Sequence, residues 1–322
     1  MRYTFLGPVG TFTEAALSQV INLADSQHTA VPDSNVETAL AQVRSGEADA
    51  AMVPIENSVE GGVSATLDAI ASGEQLQIVR EVLVPITFVL AGPDRPGAAE
   101  TLEQVQTVST HTHAWAQVRH WAAKNISGAS YLPASSTAAA ATTLAEADFD
   151  TYPELLKQAA VCSPHVAHQL KLRVLANAVE DRAGAVTRFV LVTRPTELPA
   201  VTGSDKTSLV IPLPEEDRPG ALLEILDYFA VAHVNLSRIE SRPTGSGLGS
   251  YFFAIDVDGH LAEARVQDAI SGVYRLSPQT KFLGSYPRAD KHKLQVEPIV
   301  SDDSYRAAQA WLNSLLRGTS ND

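Results

Sequence analysis

The sequence has little cysteine, methionine or tryptophan: one, two and three residues respectively among 322. A single cysteine, Cys162, excludes an intramolecular disulfide and any cysteine-rich zinc site. Two methionines leave no methionine-rich binding face. Positive charge is also scarce, with 24 Lys and Arg against 37 Asp and Glu and a formal net charge of −13. An acidic chain repels phosphate backbones, so no nucleic-acid partner is expected. No apolar run approaches the roughly 20 residues that span a bilayer, so no membrane partner is expected either. The amino-terminal stretch MRYTFLGPVGTF lacks the apolar run and small-residue cleavage site of a signal peptide. Together these absences predict a soluble, cytoplasmic protein.

The chain is 45% hydrophobic, enough to bury cores without staples, and its length suits about two domains. The first two thirds alternate strand-like and helix-like segments. Arg2–Leu6 reads as a strand and Thr13–Leu23 as a helix, with Thr11 or Thr13 as N-cap. Val36–Ser45 reads as a helix, Ala48–Ile55 as a buried strand and Val82–Ala91 as one strand. Val105–Ser109 followed by a helix near Ala114–Lys124 repeats the unit. Ser136–Glu146 is an alanine-rich helix, Gln158–Ser163 a strand and Phe189–Thr193 another. Such alternation predicts α/β layers.

Periodicity weakens over Arg194–Lys206, where Pro195, Pro199, Gly203 and Ser204 mark a linker at 195–206. Beyond it the order is strand Thr207–Leu213, helix Pro219–Ala230, strand Val234–Ser241, turn Pro243–Gly249, strand Ser250–Val257, helix Leu261–Val273 and strand Thr280–Ser285. That βαββαβ order is the ferredoxin-like split unit, at about 207–286. The tail, 287–322, has apolar residues at Tyr305, Ala308, Trp311, Leu312, Leu315 and Leu316. This is helical spacing with one sticky face, expected to dock on the body or on a second subunit.

Several motifs are placed to carry chemistry. Gly7-Pro8-Val9-Gly10-Thr11-Phe12-Thr13-Glu14 joins a strand to a helix start. Its free amides suit an anion, but an ordinary strand–helix turn looks the same. It matches neither nucleotide-binding glycine loop, which disfavours NAD and ATP. Val53-Pro54-Ile55-Glu56-Asn57-Ser58 ends an apolar strand in polar side chains, where open α/β sheets bind ligands. Glu56 fits equally well as a cap or a structural ion-pair partner. Thr110-His111-Thr112-His113 has no HExxH and no paired cysteines beside it, so no metal is expected. Val186-Thr187-Arg188-Phe189 presents a hydroxyl and a cation suited to a carboxylate, or else a surface arginine stacked on Phe189. In the small domain, Arg218-Pro219-Gly220-Ala221-Leu222 opens a helix and Glu240-Ser241-Arg242-Pro243 ends a strand. These fit an amino-acid ligand or a purely structural domain. No G-x-S-x-G elbow is present, and Cys162 reads as a small core residue.

The order and spacing of GPVGTFTEAAL, VPIENSVEGGV, VTRFVLV, RPGALLEIL and NLSRIESRP resemble prephenate dehydratase with a C-terminal ACT regulatory domain, over about residues 1–286. With no helical chorismate mutase segment ahead of them, the chain resembles the monofunctional form. The resemblance implies a two-lobed catalytic domain, similar to periplasmic binding proteins, over 1–194. Lobe one takes about 1–80 and 181–194, and lobe two about 81–180. It implies that prephenate loses CO2 and water to give phenylpyruvate in L-phenylalanine biosynthesis. Aromatisation drives that step, so no cofactor is expected.

Carried over residue by residue, the resemblance makes Thr187 the proton donor to the leaving hydroxyl and Asn57 the substrate-orienting amide. Thr110 stands where the family has a serine, and Gln117 matches its later glutamine. Arg188, Phe189, Glu56, Ser58 and Thr11 are the expected substrate contacts. A cation gripping the ring carboxylate would oppose its loss as CO2, so Arg188 is expected on the pyruvyl carboxylate. The family's Ser-His-Pro-Gln reads Thr110-His111-Thr112-His113 here. Ser135 replaces an acid found in some members, and no acid role is assigned to it.

Feedback inhibition by L-phenylalanine is implied at Gly220, Ala221, Leu222, Asn235, Glu240, Ser241, Arg242 and Pro243. ACT pairing implies a dimer or tetramer. Two rival readings remain: an arogenate dehydratase of the same family, and a non-catalytic amino-acid sensor.

Overall fold

Strand β1 (Arg2–Leu6) buries its middle residues and leads through Gly7 into helix α1 (Phe12–Ser18). The Thr11 hydroxyl caps α1 by accepting the Glu14 amide. The helix stops well short of Leu23, because the Val20 and Ile21 amides both turn back to the Leu17 carbonyl. Next come β2 (Thr29–Asp33), α2 (Val36–Ser45), β3 (Ala50–Asn57), β4 (Gly61–Gly62), α3 (Ser64–Ala71) and β5 (Gln77–Pro85). β1 lies between β2 and β3, parallel to both, and β4 pairs antiparallel with the end of β3.

A second sheet follows: β6 (Val89–Gly92), β7 (Thr107–His111), α4 (Thr112–Asn125), β8 (Ser130–Ala134), α5 (Thr137–Ala145), β9 (Gln158–Cys162), α6 (Pro164–Gln169) and β10 (Arg173–Asn177). Its order is β10-β6-β9-β7-β8. The chain then returns as β11 (Val186–Thr193), which sits between β3 and β5 in the first sheet. Two sheets joined by two crossings give the two-lobed α/β architecture expected. The sequence reading took Val82–Ala91 as one strand, but its residues divide between β5 and β6. The ladder of the first sheet ends at Pro85, and the chain pairs again only in the second sheet. The chain thus passes from the first sheet to the second after Pro85, near the boundary expected at about residue 80. The alanine-rich helix α5 packs Ala138, Ala140, Ala141 and Leu144 into a core with Val89, Ala160, Cys162 and Val166. Small side chains let a helix lie close to a sheet, which accounts for the composition.

The computed structural model describes residues 1–59, 61–213, 219–245 and 250–318. Two compact units are present: 1–63 with 82–189, and 64–81 with 190–322. The segment 64–81, expected in lobe one, thus belongs to the second unit. In that unit β12 (Asp205–Pro212), α7 (Ala221–Val231), β13 (Leu236–Pro243), β14 (Tyr251–Asp258), α8 (Ala264–Leu276) and β15 (Lys281–Pro287) form the βαββαβ fold. The sheet order is β13-β14-β12-β15, antiparallel throughout. Its core joins Leu209, Ile211, Ile225, Phe229, Ile255 and Val273.

β12 starts two residues before the expected Thr207. The Asp205 carboxylate accepts the Thr202 and Gly203 amides at 2.8 and 2.9 Å, which closes a turn at the end of the linker. The tail forms α9 (Asp302–Leu316), tied down at its first turn by the Ala264 amide on Asp302, 2.9 Å away. Its apolar face, Trp311, Leu312, Leu315 and Leu316, stays exposed. No helix among the described residues is long and apolar enough to cross a membrane.

Candidate active site

The ends of β3 and β11 meet side by side. The Ser58 amide donates to the Val186 carbonyl, and the Val186 amide donates to the Ser58 hydroxyl, both at 2.9 Å. One step inward, Asn57 Nδ2 donates to Thr187 Oγ1 at 2.9 Å. One step further, Arg188 Nη1 lies 3.3 Å from Glu56 Oε2. The three pairs run in opposite directions along the two strands, as antiparallel neighbours do. The Val59 amide donates to Asn57 Oδ1 at 2.8 Å, so both ends of the Asn57 amide are held. An amide nitrogen can only donate, so the Thr187 oxygen accepts from Asn57 and its own proton is left for another partner.

Successive strand residues face opposite sides of a sheet. Thr187 and Arg188, which the sequence reading took as a hydroxyl and a cation on one ligand, therefore leave β11 on opposite faces. The Arg188 side chain is 6% exposed and sits against Glu56 on the other face. Phe189 is buried in the core and is no surface contact. Thr110 is the last residue but one of β7. It is fully buried, and its hydroxyl donates to the Val161 carbonyl at 2.8 Å, which joins β7 to β9.

Gln117 lies on α4 and lines a cavity of about 230 Å³ with Val59, Arg119, His120, Asp181 and Arg182. Val59 connects this cavity with the Asn57 turn. Thr11 lines a different and larger cavity of about 590 Å³, together with Phe12, Glu14, Thr87, Ser163 and His165. The Thr11 hydroxyl is engaged as cap and as a donor to the Leu6 carbonyl at 3.2 Å. Ser163, Asp181 and Arg182 were not singled out from sequence. For Ser163 a signal existed: Ser-Pro after a strand marks an N-cap and a first helical position, and Ser163 does cap α6. Cys162 is fully buried in the core, where burial pushes its thiol up to about 12. No group of three or more His, Cys, Asp or Glu that could hold a metal occurs among the described residues.

In the second unit, Gly220 takes φ +89° as the N-cap of α7, a conformation that favours glycine. Ala221 is buried behind it, and Leu222 packs against the core. Asn235 donates to Asp258 at 2.8 Å, and Glu240 pairs with Arg238 at 3.4 Å. Ser241 and Pro243 are exposed on β13. Arg242 makes a two-pronged pair with Asp68, at 3.0 and 2.6 Å. Arg218, at the head of that helix motif, lies outside the described residues.

The chain matches the prephenate dehydratase family model over residues 3–197 and the ACT domain model over 216–273. A prephenate dehydratase from Amycolatopsis methanolica is 41% identical over 318 residues, 98% of each chain. One from Mycobacteroides abscessus is 41% identical over 321 residues, again 98% of each. The crystal structure of prephenate dehydratase from Arthrobacter aurescens in complex with L-Phe is 57% identical and superposes with a TM-score of 0.89, covering 98% of this chain and 100% of that one. GqqA, described as a novel type of quorum quenching acylase, has a TM-score of 0.72 at 29% identity, over 89% of this chain and 98% of that one. The fold thus hosts more than one named activity, and the assignment rests on full-length sequence identity rather than on shape. By its matched domains and full-length relatives, the chain belongs to the prephenate dehydratase family and carries that family's ACT domain.

Proposed function

We propose that Thr187, oriented by Asn57, serves the departing hydroxyl as prephenate is converted to phenylpyruvate. In that step the bond to the ring carboxylate breaks and CO2 leaves. Its electron pair enters the ring, and the para carbon–oxygen bond breaks. The hydroxyl takes up one proton and departs as water, so the reaction consumes one proton overall. A threonine hydroxyl is a very weak acid. Its value here is a hydrogen bond that strengthens as charge develops on the leaving oxygen.

The 2.9 Å bond from Asn57 to Thr187 carries this reading, because it leaves the threonine as donor. Gln117 is the second polar contact. Arg119 and Arg182, in the same cavity, supply positive charge for a substrate with two carboxylates. L-phenylalanine is the effector at the ACT domain, supported by the related A. aurescens enzyme with L-Phe bound. Self-association accompanies that site. Ile239 on the edge strand β13 and Leu223 and Val231 on α7 are exposed apolar residues suited to a second copy.

The test is the absorbance of phenylpyruvate formed from prephenate. Thr187→Ala is expected to lower kcat by about two to four orders of magnitude, and Thr187→Ser to keep a larger share. Near-normal turnover in Thr187→Ala removes Thr187 from the mechanism. The ratio of kcat/KM for prephenate and arogenate decides the substrate.

A further inference from the structure

We propose that Asp181 is a positioning residue that sets Gln117 by holding helix α4 from the side. The proposal rests on the reading of Gln117 as a substrate-contacting residue. In a regular helix the amide of residue 121 donates to the carbonyl of residue 117. Here both of those groups bond to Asp181. The Asp181 amide donates to the Gln117 carbonyl at 2.7 Å, and the Trp121 amide donates to Asp181 Oδ1 at 2.7 Å. The His120 amide donates to Oδ2 at 3.1 Å, and His120 Nδ1 lies 3.0 Å from the same oxygen. One residue outside the helix thus engages a full turn of it, at the turn that carries Gln117.

The side chain is suited to this task. Asp181 is only 14% exposed. Burial pushes its carboxyl up, but the Trp121 and His120 amides together with the His120 side chain outweigh that and hold it below the ordinary aspartate value. It stays an anion with both oxygens accepting. Asp181 and Gln117 line the same cavity. The segment that starts at Asp181 then enters β11 and Thr187, so one stretch of chain supports two polar contacts of the site. Displacing a positioned group by about 1 Å can cost about 100-fold in rate, which makes this grip consequential for Gln117.

Asp181→Asn is the informative variant. It keeps the size, but only one oxygen can accept, and its amino group faces a helix amide as donor against donor. The expected result is a kcat about tenfold lower with KM within about twofold. In a Gln117→Ala background the same change adds no further loss, because the residue through which Asp181 acts is gone. Wild-type kcat in Asp181→Asn overturns the proposal. So does an equal loss with and without Gln117, which would mean that Asp181 only maintains the fold. Wild-type kcat in Gln117→Ala overturns the reading of Gln117 itself, and the proposal with it. Circular dichroism checks folding. If Asp181→Asn does not fold, Asp181→Ser supplies a smaller neutral acceptor for the same cycle.

Discussion

Glu56 and Arg188 are sequence neighbours of Asn57 and Thr187, yet strand alternation puts the two pairs on opposite faces. The consequence can be measured. A guanidinium that is almost fully covered needs compensating partners, and neutralising a charged one weakens that compensation. Glu56→Gln keeps an acceptor oxygen and removes the charge. It is expected to lower unfolding free energy by about 1–3 kcal/mol, read by urea denaturation, with KM for prephenate within about twofold. A large rise in KM at unchanged stability would return this pair to the substrate. The sequence made the residue types legible and hid their direction. Thr187-Arg188-Phe189 reads as one motif, but a strand separates it into a hydroxyl facing Asn57, a buried cation and a core phenyl. Thr110 shows the same limit, since nothing in its neighbourhood announces a hydroxyl committed to the Val161 carbonyl.

Among the elements, the βαββαβ unit was legible almost to its ends because β13 alternates, β12 and β14 are compact apolar runs, and each helix has one apolar stripe. What periodicity could not separate was Val82–Ala91, where two strands of different sheets abut in one apolar run. Nor could it show the return of the chain as β11, since non-local pairing leaves no local pattern. Helix packing was equally hidden. Gly272 on α8 looks like an unfavourable residue in a helix, where alanine would gain about 1 kcal/mol. Yet a Cβ there would lie 2.0–2.6 Å from ring atoms of Tyr228 on α7. The contacts reach Cγ at the root of the ring, so rotating the ring about its own axis does not clear them. Overpacking of this kind costs about 1–3 kcal/mol and exceeds the propensity gain. Gly272→Ala is therefore expected to lower the thermal midpoint, measured by calorimetry. A raised midpoint would mean that the α7–α8 contact is slack.

For the whole molecule, the question is how an amino acid bound at the ACT domain reaches a dehydration site. The second unit includes residues 64–81, a stretch that follows the strand carrying Asn57 and runs into the first half of β5. Within that unit the attachment is firm. Arg242 of the expected effector motif holds Asp68, Lys206 meets the buried Glu81 at 3.0 Å, and Lys281 donates to the Ala71 carbonyl at 2.5 Å. The chain that follows β3 is thus part of the unit that contains the ACT domain. If L-phenylalanine biases that unit between two arrangements, effector and substrate sites share a coupling free energy. Typical values are about 1–3 kcal/mol, or about 5- to 150-fold in affinity. Linkage makes the effect reciprocal. Isothermal titration of L-phenylalanine, with and without a saturating unreactive prephenate analogue, should show its affinity weakened by the factor by which L-phenylalanine weakens binding of the analogue. One L-phenylalanine affinity under both conditions would uncouple the two sites and leave the ACT domain without control over substrate binding. Unequal factors would violate the thermodynamic cycle and point to a further state of the protein, such as a change in subunit number, that differs between the two titrations.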